Sequence, residues 1–380
     1  MPCLKYKTLL VIALITMLRY AAVPVLASPF VSAEITVRPE ARGAHSMVFD
    51  PYNNVTMIFG GTSLTGGYHN FADTWVYSYS ENAWTKLMLT PSPPARSNHA
   101  TVYCSATNEI ILFGGMTSDD TWSYDCETQT WSEVMTSTSP GIHHSLGLAY
   151  DSDENVVILF GGFGEDGLER NDTWKFDCAT REWAELFPST APLARYGHVM
   201  VYDKSIKEIV LTSGNTATQG HQQDTWVFNT SVTTWTRLTP IGTPDRLKWP
   251  SMTYDSVNQK CILFGGQIGD YAVNRTWIYD AQLNTWTRRY PALAPDVRIN
   301  TGLAFDSLNN VAVLYGGIVI DGPQYDDTWT YSYESNVWTI MGGGTGAATD
   351  FSGVLLGTLI LVAAVAMAMM VIVLFVRRRA

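Results

Sequence analysis

Residues 156–183, VVILFGGFGEDGLERNDTWKFDCATREW, hold a β-branched run closed by Gly161-Gly162, a polar loop, Asp172-Thr173-Trp174 and a second tryptophan, Trp183. Outward from this stretch the same order recurs six times. The first tryptophans are Trp75, Trp122, Trp174, Trp226, Trp277 and Trp329; the second follow nine residues later at Trp84, Trp131, Trp183, Trp235, Trp286 and Trp338. An opening position (Arg42, Arg96, His143, Arg195, Leu247, Arg298) stands 18 residues before the first glycine position every time. Only the segment from that glycine position to the first tryptophan changes length, at 15, 8, 13, 13, 12 and 13 residues. A repeat of roughly 50 residues with fixed strands and one variable loop is a repeat architecture whose loop face binds.

Each unit reads as four short antiparallel strands. In the first they begin with the half-buried Arg42–Asp50 and the apolar Val55–Phe59, and continue with Trp75–Tyr79 and Trp84–Leu87. The Gly pair turns the chain where a β-carbon would clash. Such a sheet cannot bury both faces alone, so six of them predict an all-β, six-bladed β-propeller over residues 34–341, its blades covering one another.

Charged residues make up only 16% of the 380 and aromatic ones 12%, which suits a packed β body. All 35 acidic residues but only eighteen of the 24 basic ones fall between residues 34 and 350, a surface that repels phosphate backbones and excludes nucleic acid as a partner. Lys5 and Lys7 precede the apolar run Leu9–Leu18, and small residues follow at Val31-Ser32-Ala33, the layout of a signal peptide over residues 1–33. Residues 351–376 carry no charge and precede Arg377-Arg378-Arg379. They predict a C-terminal transmembrane helix after a Gly-rich linker, 342–350, with a cytoplasmic tail at 377–380. The propeller is thereby expected outside the cell on a single-pass type I membrane protein.

Four cysteines remain after the leader: Cys104, Cys126, Cys178 and Cys261. Cys104 and Cys126 are expected on one face of the second blade, where a bridge between them competes with free buried thiols. Sequons begin at Asn54, Asn171, Asn229 and Asn274.

Gly-Gly, Asp-Thr-Trp, a second tryptophan nine on and a preceding Arg-x-x-His together resemble the kelch repeat family over residues 42–341. The pattern departs from the family at Ser213-Gly214, at Arg275 in place of aspartate, and at the missing Arg-x-x-His of the third and fifth units. The resemblance implies a kelch propeller whose opening strand is innermost. Arg42, Arg96, His143, Arg195 and Arg298 are then expected around one mouth of the channel, either as ligands for an acidic group or as hydrogen-bond ties to neighbouring blade loops. His45, His99 and His198 are expected to point into blade packing. Asp73, Asp120, Asp172, Asp224 and Asp327 recur at one position and read as turn caps.

Ligand-binding candidates are therefore Arg96, His143, Arg195 and Arg298 at the mouth, with Tyr68, His69, Phe71, His221, Tyr271 and Tyr325 on the variable loops. The expected ligand is a protein or a glycan at the loop face. No catalytic constellation is present in the motifs, so a non-catalytic module with neither cofactor nor metal is expected. The alternative is a surface carbohydrate-active enzyme of epimerase or oxidase type, since kelch-containing enzymes of both kinds are known.

Overall fold

The computed structural model describes residues 38–342. Six antiparallel sheets follow one another along the chain, each taking four main strands in sequence order. The innermost strands are Ser46–Asp50, Ala100–Cys104, Gly147–Asp151, Tyr196–Asp203, Ser251–Asp255 and Gly302–Asp306. They line a central channel and touch their neighbours round a closed circle, the last against the first. The second strands, such as Val55–Phe59 and Val311–Tyr315, are the apolar runs of the sequence and lie almost wholly buried between blades.

The tight turns that end each innermost strand follow from local chemistry. Asp50 Oδ1 accepts the backbone N–H groups of Tyr52 and Asn53 at 3.0 and 3.2 Å, and Asn54 closes the turn at φ 55°. Antiparallel order then sorts the connections. The tight turns share one face of the ring, while the variable loops and the entries to the innermost strands share the other. These loops are themselves built: Thr62–Ser63 pairs with His69–Asn70, Asn215–Thr216 with Gly220–His221, and Gln267–Ile268 with Tyr271–Ala272. In the third blade the second and third strands simply run on, as Val156–Phe163 and Glu169–Asp177.

Every seam between blades repeats one set of contacts. The second tryptophan of each blade is buried, and its indole N–H donates to the threonine just before the first tryptophan of the preceding blade, at 2.9 to 3.1 Å in all six cases. The second glycine of each pair donates its N–H to the carbonyl of the next opening residue, from Gly61 to Arg96 through to Gly317 and Arg42. Trp84 reaches Thr328 and Gly317 reaches Arg42, so the ring closes blade against blade with the bonds used at every other seam.

Cys104 does not face Cys126. Its sulfur lies 3.3 Å from that of Cys178 in the next blade. The expected signal peptide, the linker beyond Gly342, the transmembrane helix at 351–376 and the tail lie outside the described residues. Among the described residues no helix is long and apolar enough to cross a membrane.

Candidate ligand-binding mouth

The opening arginines are buried ties rather than an open collar. Arg96 is 2% exposed; its Nε donates to the Pro94 carbonyl, Nη1 to the Gly114 carbonyl and Asp120, and Nη2 to the second oxygen of Asp120 at 2.8 Å. Arg42, Arg195 and Arg298 make the same bonds to Asp73, Asp224 and Asp327. His143 stands in for arginine in the third blade and lies 3.0 Å from Asp172. Each aspartate also accepts the indole N–H of the tryptophan two residues on. Its role is therefore a three-way clasp rather than a turn cap. Burial pushes the carboxyls of Asp73, Asp120 and Asp224 up, but the guanidinium beside each outweighs it and holds them below 3.8.

The fifth blade inverts this clasp. Leu247 occupies the arginine position and Arg275 the aspartate position, yet Arg275 pairs with Asp245, which also accepts from Trp277 at 3.3 Å. Acid and base have exchanged places, and the blade keeps its ion pair.

Two loop candidates also serve the blades. Phe71 lies under the Arg42 guanidinium at 3.7 Å, and Tyr325, which is buried, lies under that of Arg298 at 3.8 Å. Tyr68, His69 and Tyr271 are exposed and His221 is half-buried, all on the loop face. The loops lean on one another: Tyr68 reaches Met116 at 3.4 Å, and Glu169 accepts the Ala217 N–H at 2.6 Å. The histidines pack across seams, His99 edge-on to Phe59, His198 to Phe160 and His45 to Tyr315. Burial, reinforced by Arg42 or Arg195, lowers His45 and His198 from 6.5 to about 3.

At the mouth itself the backbone makes a belt. Ala44, Asn98, Ser145, Gly197, Trp249 and Asn300 all have left-handed φ, between 53° and 62°. Each donates its N–H to the carbonyl of the equivalent residue in the preceding blade, and the six bonds, 2.7 to 3.2 Å long, close on themselves. Asparagine and glycine suit this conformation; tryptophan does not. Trp249 lies over Gly197, where an added β-carbon would come within 2.5 Å of its Cδ1. Its indole N–H is enclosed and has no hydrogen-bond partner. Just inside the belt is a cavity of about 120 Å³, bordered by Trp249, Ser145 and Asn300 and by His45, His99 and His198. Both ring nitrogens of His45 are enclosed without a hydrogen-bond partner.

Around one side of this mouth runs an aromatic arc. His144 and Phe163 have ring centroids 5.2 Å apart, Phe163 and Tyr196 4.2 Å, and Tyr196 and Trp249 5.9 Å. Lys248 caps the arc with its Nζ 4.4 Å from the Trp249 ring. All five side chains are half-buried. The positions matching His144, Tyr196 and Lys248 in the other blades hold Gly43, Ser97 and Ile299. Burial lowers Lys248 and His221 below their ordinary values, with Asp270 opposing both shifts. The arc is absent from the sequence candidates. One signal for it is present: thirteen tryptophans make six pairs and leave Trp249.

A ring of six four-stranded blades, locked by paired tryptophans and carrying built loops on one face, defines a six-bladed repeat propeller. A family model described as the KLHDC2/KLHL20/DRC7 Kelch-repeats domain matches residues 31–190 and 144–348, and the chain belongs to the kelch-repeat family. It is 23% identical over 266 residues to Kelch domain-containing protein 10 of Xenopus tropicalis, covering 68% of this chain and 52% of that protein. An F-box/kelch-repeat protein of Arabidopsis thaliana is 35% identical over 82 residues, 20% of this chain and 16% of its own length. The chain thus spans about half or less of the curated relatives it matches.

Proposed function

We propose that this propeller is a non-catalytic protein-binding module that takes its ligand at the axial mouth, against the arc from His144 to Trp249. Membership of the kelch-repeat family supports protein binding in general. The single observation that carries the site is Trp249, a bulky residue held at φ 56° with an enclosed indole N–H left unpaired. Left-handed backbone is strained under so bulky a side chain, and strain of this kind clusters at ligand sites. Half-buried rings beside a small polar cavity suit a peptide that lays one side chain on the arc and inserts a polar group into the mouth. A glycan is the second reading, favoured by the same adjoining rings.

The basic N-terminal flank, the uncharged stretch 351–376 and the terminal arginines support display of the ring outside the cell on a C-terminal anchor. Labelling intact cells with a membrane-impermeant reagent tests that placement: modified ring lysines are expected, and full protection contradicts it.

The site is tested by selecting peptides from a displayed random library on the wild-type protein. Their affinity is then measured for Trp249→Gly/Tyr196→Ala and for Tyr52→Ala on the opposite face. Loss of at least about tenfold, roughly 1.4 kcal/mol, is expected for the first variant alone. Equal binding by both variants contradicts the site.

A further inference from the structure

We infer that Cys104 and Cys178 are a covalent modification site, a disulfide that staples the second blade to the third. The observation is a departure of the chain from its own repeat. In five blades the innermost strand ends in aspartate (Asp50, Asp151, Asp203, Asp255 and Asp306), whose carboxylate caps the following turn. In the second blade Cys104 holds that position and the cap is gone.

At the first two seams this position faces the residue one past the third strand of the next blade. At the first seam that residue is Cys126, whose thiol is pushed up by burial and by the neighbouring Asp50, and whose carbonyl accepts from Asn53 at 2.7 Å. At the second seam it is Cys178. Among the described residues this is the seam where sulfur meets sulfur, at 3.3 Å, with Cys104 fully buried and Cys178 4% exposed.

The surrounding chain holds the two in register. Arg181 of the third blade pairs with Glu109 of the second at 2.8 Å, and Ser137 donates its N–H to Glu182, also at 2.8 Å. A disulfide needs the sulfurs at about 2.05 Å, little more than 1 Å closer than they stand.

The reaction is thiol–disulfide exchange with a small-molecule disulfide. One cysteine thiolate attacks the reagent, forming a mixed disulfide and expelling one thiolate. The second cysteine, as thiolate, attacks the protein sulfur of that mixed disulfide and expels the other. The protein loses two protons and two electrons; the reagent leaves as two thiols. Its bond to Cys178 and its burial push the Cys104 thiol well up, so thiolate is scarce in the closed seam. The bond therefore forms while the seam is assembling, not after it has shut.

The test is refolding of the full-length chain in mixed oxidised and reduced glutathione, followed by peptide mapping without reductant. A linked pair containing Cys104 and Cys178 is expected, and the oxidised ring should melt about 6 °C above the reduced one. Cys178→Ser and Cys104→Asp, the latter restoring the turn cap of the other blades, should each abolish the oxidant-dependent rise. Cys126→Ser and Cys261→Ser should keep it. A Cys104–Cys126 linkage, or four free ring thiols after oxidative refolding, would overturn the inference; mapping the wild-type chain decides this even where a variant fails to fold.

Discussion

At the seams of this ring the side chains repeat, whereas at its mouth only the backbone does. Six indoles reach six threonines in the same geometry, and in five of the six blades the opening side chain is tied to the aspartate of the loop that follows. The belt is equally regular in φ and in hydrogen bonds, yet its side chains run from Gly197 to Trp249. Repetition of a side chain marks what the fold requires. Variation on an invariant backbone marks what is free to recognise something else.

The largest effect expected from breaking this contrast is at a seam. Trp235→Ala removes a fully packed indole and leaves Thr173 Oγ1 without its donor, and should cost about 4 kcal/mol in denaturant unfolding. Arg195→Met comes next. It leaves the Asp224 carboxylate, 10% exposed, without its guanidinium, for a loss of about 3 kcal/mol.

Acid sharpens the contrast in two windows. His45 and His198 titrate near 3 in the ring but near 6.5 once unfolded. The unfolded chain therefore binds extra protons between those values, so stability is full above 6.5 and falls as pH drops toward 3. The clasp aspartates contribute stability above 3.8 that is lost as pH falls below it, through their depressed values. His198→Leu, which copies Leu146 at the matching place in the third blade, should remove about one proton from the first window, up to roughly 1.4 kcal/mol per pH unit. Unfolding free energy measured from pH 7 to 4 checks it. The smallest effect belongs to the mouth. Trp249→Gly gives up packing but relieves a left-handed tryptophan, for a net change within about 1 kcal/mol.

The fold is legible in the sequence because blade geometry sets the spacings. Eighteen residues from opening position to glycine, and nine between tryptophans, leave room for nothing but the four strands observed. The site is less legible. Place along the chain puts Arg96, Arg195 and Arg298 at a mouth, but it says nothing about which groups surround a guanidinium. Their burial depends on aspartates 24 to 29 residues away. Arg275 reads as a lost aspartate in sequence, and only the fold brings Asp245 beside it, an exchange invisible to a motif that scores each position alone. Likewise the partner of Cys104 lies 74 residues along, in another blade, while reasoning within one blade reaches only Cys126. The arc escapes because its members come from four separate segments that only the stacking of neighbouring blades brings together.

One variant puts the whole distinction to the test: Trp249→Gly, measured for melting temperature and for affinity toward a peptide selected on the wild-type ring. The expected result is a melting point within about 3 °C of wild type with affinity reduced at least about tenfold. A ring that melts as early as Trp235→Ala while binding the peptide unchanged would contradict the assignment of the seams to folding and the mouth to recognition.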